Sequence, residues 1–280
     1  MNETIRKATW LELFYDLIFV VAIAKAVHTL GHTHHGHIEF ETYFKYVLIM
    51  IPLWWAWKYT VLYLGIIVDV LFPLVVRRHL ARAPVESHHM PERYALLTII
   101  LLGESVANLV AAFESVTVSV QSVAAAVAGF LLIAAIWWIY YDNLERRIYG
   151  RALGTGQAVI YLHLAIFIGL GGIATMIRFA IDPVLDVADY KLLVGLSTAV
   201  LLIALQLLLQ IYHPKAERGP LLHNALITFV LTAAALVLVP TNLAMLVAMT
   251  GIFVIYAVVD ARRQRAMAAR VDLSADKSLR

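Results

Sequence analysis

Several acids and amides of this chain stand inside long apolar stretches, where a charge costs several kcal/mol unless something pairs, hydrates or uses it. The segment Trp10-Leu-Glu12-Leu-Phe-Tyr-Asp16-Leu-Ile-Phe sets two carboxylates four residues apart, which on a helix is one face. A second segment reads Glu92-Arg93-Tyr-Ala-Leu-Leu-Thr-Ile-Ile-Leu-Leu-Gly103-Glu104-Ser105-Val-Ala-Asn108. It puts Glu104 near the middle of an apolar run, with Asn108 one turn further on and Gly103 small enough to admit a neighbouring helix. Carboxylates in a low dielectric favour their neutral form, so the chemistry on offer is reversible protonation or the binding of a small cation. Two structural readings compete with it. Glu12 could cap the start of its helix at the membrane interface, and Glu104 could be a hydrogen-bonded acid that locks helices together.

Asp69, Asp142 and His163 also interrupt apolar sequence. With Glu12 and Asp16 they are expected to converge in a polar vestibule on the cytoplasmic side, which Arg93 and Arg146 would partly neutralise; an ion-paired scaffold and a proton or cation path are both open. Lys25 and Lys58 carry less information, since long basic side chains snorkel. The run Gly31-His32-Thr33-His34-His35-Gly36-His37, with His28 and Glu39 beside it, has imidazoles that suit zinc, nickel or copper. Its composition fixes no ligand geometry, so it reads as a flexible loop of weak adventitious affinity, and no metal site is assigned. His88 and His89 are placed in a basic loop on the same terms.

Nothing in the sequence calls for a catalytic centre or a cofactor. There is no cysteine, which removes thiol nucleophiles, disulfides and thiolate metal sites together. No phosphate loop, haem motif or H-E-x-x-H occurs, and Gly154-Thr-Gly156 lacks the rest of a nucleotide fingerprint.

The elements that position these residues follow from composition. Of 280 residues, 62 % are hydrophobic and 15 % charged, more apolar surface than a soluble domain of this size can hide. The bilayer is the expected partner, and the fold class is an all-α polytopic transmembrane bundle. Spans are expected near 10–30, 44–76, 94–114, 119–141, 157–179, 191–212, 221–239 and 242–260. They form one domain over 1–265, followed by a polar cytoplasmic tail at 266–280, which is expected to be a frayed helix. The net charge of +3 sits in short clusters between spans and at the C-terminus, which suits topology signals and not a nucleic-acid surface. Those clusters follow every second span. The alternation holds if 44–76 crosses once, giving about eight spans with both termini cytoplasmic, although that stretch would measure about 50 Å as one helix against about 30 Å of hydrocarbon. No repeat relates the two halves, so an inverted-repeat transporter is not indicated.

The sequences W-L-E-L-F-Y-D-L-I-F-V-V-A-I at 10–23 and E-R-Y-A-L-L-T-I-I-L-L-G-E-S at 92–105 resemble the bacterial low-temperature-requirement A family. Trp54-Trp55-Ala-Trp57, His89-Met-Pro-Glu92-Arg93, Trp137-Trp138-Ile-Tyr140-Tyr141-Asp142 and Tyr161-Leu-His163-Leu add to the likeness. It runs over most of 10–240 and is carried by Trp10, Glu12, Asp16, His89, Glu92, Arg93, Gly103, Glu104, Ser105, Asp142 and His163. The resemblance implies a multi-pass protein of the bacterial inner membrane, linked by name to growth in the cold, and it supplies no mechanism. Members are usually longer, and the stretch between the W-W-x-W helix and H-x-x-E-R is shortened here, with 44–76 as the join.

The functional expectation is a transporter or channel-like protein for protons or small cations. Glu12, Asp16 and Glu104 would bind the ion, with Asn108 and His163 as polar neighbours and Asp69, His89, Glu92, Arg93, Ser105 and Asp142 as a supporting network. The alternative is a non-transporting structural or stress-related membrane protein whose buried charges fix helix packing.

Overall fold

Apolar runs punctuated by Ser, Thr, Pro and Gly become helices that stop where capping groups satisfy their ends. The computed structural model describes residues 10–30, 40–58, 89–148, 157–212 and 215–278. Among them are eight helices and no strand: α1 Trp10–Leu30, α2 Phe40–Lys58, α3 His89–Glu114, α4 Val120–Ile148, α5 Gln157–Ile181, α6 Val187–Tyr212, α7 Lys215–Leu238 and α8 Asn242–Ser278. The start of α4 shows the local logic. Ser119 and Ser122 exchange hydrogen bonds, the Ser119 amide donating to Ser122 Oγ at 2.8 Å and the Ser122 amide to Ser119 Oγ at 3.1 Å. This reciprocal cap satisfies two amides that the helix itself cannot. Thr241 does the same for α8, its Oγ1 accepting from the Ala244 amide at 3.3 Å.

Six of the helices, α3 to α8, contain segments long and apolar enough to cross a membrane, and their outward faces agree. Phe130, Leu192, Ile203, Val230, Val237 and Ile255 are all exposed. Over so many helices such surface would drive aggregation in water and matches a hydrocarbon solvent. The chain is therefore a helical membrane bundle. At its centre is α5, with 78 % of its span window buried against 28 % for α7 at the edge.

Glycine makes that centre possible. A Cβ on Gly169 would lie 2.9 Å from the Leu201 backbone nitrogen, and one on Gly172 would lie 2.0 Å from Ser197 Oγ, so α5 and α6 meet almost backbone to backbone. A Cβ on Gly171 would overlap the Tyr46 hydroxyl at 2.1 Å. That hydroxyl instead crosses from α2 to donate to the Ile168 carbonyl at 3.2 Å.

Some boundaries differ from the sequence expectation, chiefly because helices continue past the apolar stretch that marks them. The helix α3 begins at His89, so His89, Glu92 and Arg93 stand in its first turns and not in a loop. Lys215 and Arg218 belong to the start of α7, and Arg146 and Arg147 to the end of α4. A helix can run on through such positions because a long basic side chain is able to hold its head in water while the backbone stays helical. The tail at 266–280, expected as a helix, agrees: it continues α8 as far as Ser278. Of the expected span at 44–76, the structure shows α2 starting at Phe40 and running to Lys58; residues 59–76, Asp69 included, lie outside the described residues. So does the His-rich loop at 31–37.

Candidate functional site

Glu104 lies half-buried ten residues into the Tyr94–Glu114 span of α3. Helical spacing brings Asn108 over it, and Asn108 Nδ2 donates to Glu104 Oε1 at 3.2 Å. Among the described residues no Lys, Arg or His forms an ion pair with this carboxylate. The neighbouring hydroxyls are otherwise occupied: buried Ser105 donates to the Leu101 carbonyl at 3.0 Å and Thr98 to the Tyr94 carbonyl at 2.7 Å, each on its own helix. Gly103 departs from expectation. It is exposed, and a Cβ there would meet nothing within 4 Å among the described residues, so no described helix approaches it closely.

His163 occupies a different place. It is fully buried in α5, Nδ1 lies 2.8 Å from the Val159 carbonyl and Nε2 lies 3.0 Å from the Tyr140 hydroxyl of α4. A carbonyl can only accept, so the hydrogen-bond network assigns the proton to Nδ1 and leaves Nε2 to accept from the tyrosine. The ring of Tyr94 stacks on the imidazole at 4.3 Å between centroids, and Phe167 meets it edge-on at 6.3 Å. Trp54 stacks on Tyr94 at 5.7 Å and meets Phe167 edge-on at 5.1 Å, while the Tyr141 hydroxyl donates to the Ala95 carbonyl of α3. Trp54, Tyr94, Tyr140, Tyr141 and His163 thus come from four motifs far apart in sequence and form one node joining α2, α3, α4 and α5. Tyr94 precedes Glu104 by ten residues, about 15 Å along the helix axis. Glu104 and His163 are therefore not brought together.

The node supplies a first prediction. Tyr140→Phe leaves the imidazole nitrogen buried without its donor, a loss of about 1–3 kcal/mol. A lowered thermal midpoint of the purified protein in detergent is expected; an unchanged midpoint would mean that the Tyr140–His163 bond contributes nothing.

Of the other expected residues, Glu12 and Asp16 stand four apart on α1, so the backbone places them on one helix face. Their side chains, and those of His89, Glu92 and Arg93, lie outside the described residues. Asp142 is half-buried near the end of α4. Among the described residues no group of three or more His, Asp or Glu could hold a metal ion.

One cluster went unanticipated. Asp260 of α8 is 1 % exposed, and Asn143 Nδ2 of α4 donates to its Oδ2 at 2.6 Å and to the Ile139 carbonyl at 2.9 Å. Gln264 Nε2 donates to Asn143 Oδ1 at 3.2 Å and to Asp260 Oδ2 at 3.1 Å, and Arg263 pairs with Oδ1 of the same carboxylate. The signal was the spacing Asp260-x-x-Arg263-Gln264, one helix face. Taking these arginines as topology marks concealed it.

Compared with known proteins, the chain matches the family described as "Bacterial low temperature requirement A protein" over residues 7–65 and 58–259. The two matched segments overlap within the long apolar stretch at 44–76. No curated protein and no solved structure matches.

Proposed function

The chain belongs to the bacterial low temperature requirement A family, and we propose that it moves protons or small cations across the inner membrane of a bacterium, with Glu104 as the group that takes up and releases the ion. The reading is one of transport and not of catalysis. The observation that carries it is Glu104 itself: a carboxylate inside a membrane-length helix, half-buried, hydrogen-bonded to a neutral amide and paired with no cation among the described residues. Buried charges that serve packing normally come paired, as Asp260 does with Arg263. Glu104 does not, and such a group is retained at a cost that function would explain. Asn108 holds one carboxylate oxygen and leaves the other to exchange. Glu12 and Asp16, on one face of α1, are proposed as the approach to it.

A second reading, that the chain is a non-transporting structural or stress-related component, is favoured by the His163 node and the Asp260 cluster, whose polar side chains are hydrogen-bonded from one helix to another. Uptake by proteoliposomes separates the two. Wild type is expected to carry protons or a monovalent cation down an imposed gradient, and Glu104→Gln to lose at least tenfold of that flux with an unchanged thermal midpoint. Equal flux in both, or no flux in either together with a destabilised variant, would remove the transport reading.

A further inference from the structure

Near the ends of their membrane spans, α4 and α8 enclose a recess of about 310 Å³ whose wall is made by Trp138 of α4 and Ala257, Val258, Ala261, Arg262 and Arg265 of α8. Its chemistry is two-sided. Arg262 and Arg265 are exposed, three residues apart and hence about 5–6 Å apart at Cβ. Neither forms a hydrogen bond or ion pair with any acid among the described residues; Asp260 pairs with Arg263. The floor beneath them is alanine and valine. Further along α8, away from the arginines, the outward residues Val254, Ile255, Val258 and Val259 are all exposed. The indole of Trp138, 42 % exposed, stands at the boundary between the two, where amphipathic rings settle in a bilayer.

We propose that this recess binds an anionic phospholipid, its phosphate between the Arg262 and Arg265 guanidinium groups, its glycerol against Trp138 and its acyl chains along the apolar side of α8. Guanidinium groups pair with phosphate through parallel charge-assisted hydrogen bonds, and basic recesses at the ends of membrane helices attract anionic headgroups. Free inorganic phosphate would satisfy the cationic end alone. The apolar floor and the lipid-facing surface that continues from it favour a phosphate with hydrocarbon attached. The inference does not depend on Glu104, which lies on a different helix.

The test is lipid retention by the full-length protein exchanged into mixed micelles of phosphatidylglycerol and phosphatidylcholine in equal amounts, read by native mass spectrometry. Wild type is expected to retain phosphatidylglycerol at least fivefold over phosphatidylcholine, and Arg262→Gln/Arg265→Gln to retain the two equally. Because both arginines are exposed and bound to no acid among the described residues, the variant should keep the wild-type thermal midpoint; if it does not, the single changes Arg262→Gln and Arg265→Gln are each expected to lose part of the preference. Phosphatidylglycerol should raise the midpoint of wild type, and millimolar inorganic phosphate should not. Equal retention by wild type, a preference that survives both substitutions, or a stabilisation by inorganic phosphate that matches the lipid would each overturn the proposal.

Discussion

Gly169→Leu is expected to abolish folding of the bundle, and Gly169→Ala to weaken it by about 1–3 kcal/mol, the usual cost of forcing extra atoms into a packed interior. The reason is local. A Cβ on Gly169 would lie 2.8 Å from Leu201 Cβ and 3.0 Å from Leu201 Cα, and backbone cannot rotate out of the way as a flexible side chain can. The helix α6 would have to move away from α5 along the most buried of the six spans, opening voids on both sides of the contact and losing dispersion contacts over the whole interface. Gly103→Ala and Gly251→Ala are the controls. Nothing lies within 4 Å of a Cβ at either position among the described residues, so these changes are expected to be neutral or to stabilise by up to about 1 kcal/mol through helix propensity. Yield of monodisperse protein and thermal midpoint in detergent distinguish the outcomes; a Gly169→Leu variant with wild-type behaviour would disprove the close approach of α5 and α6.

The second large effect is expected at Asp260. Asp260→Leu removes the acceptor shared by Asn143, Arg263 and Gln264, leaving three donors with buried or half-buried heads. Removing one partner of a buried pair costs about 3–5 kcal/mol. Because the Arg263 side chain is 20 % exposed and can turn to water, the lower end of that range applies. A double-mutant cycle tests the cause as well as the size. If the loss comes from stranding Arg263, then Asp260→Leu/Arg263→Leu should be clearly less destabilised than the sum of the single changes; additive losses would show that the two side chains do not act together.

Most of the architecture was legible in the sequence because a bilayer makes one demand that composition alone reveals: each span must be long, apolar and helical. Helices over 10–30, 94–114, 157–179 and 242–260 needed little more than counting. The candidate spans fall within a few residues of those expected, while the helices run on past them through Lys215 and Arg146, since such residues extend a helix into the interface as readily as they end it. The site was legible only in part. Glu104 and Asn108 are one turn apart on one helix, so spacing was sufficient to pair them. The rings around His163 come from positions 94, 140 and 167, with Trp54 packed on two of them, and nothing local in the sequence says that these aromatic rings meet. Its place among acids suggested an ion path, whereas its described contacts are with tyrosines, a phenylalanine and a backbone carbonyl. Asp260 was hidden for the opposite reason, because its partners on α8 were visible but carried another meaning.

The claim at the centre of the proposed function, that Glu104 is a protonatable carboxyl reached by the transported ion, is tested most directly by mapping the adducts of a membrane-permeant hydrophobic carbodiimide in proteoliposomes. The reagent couples to protonated carboxyls in apolar surroundings and the modified residue is identified by peptide mass spectrometry. An adduct at Glu104 is expected, formed faster at lower pH, slowed by an excess of the transported cation if protons and cations compete, and accompanied in step by loss of flux. An unmodified Glu104 at saturating reagent, with flux intact or with flux lost through modification elsewhere, would contradict it.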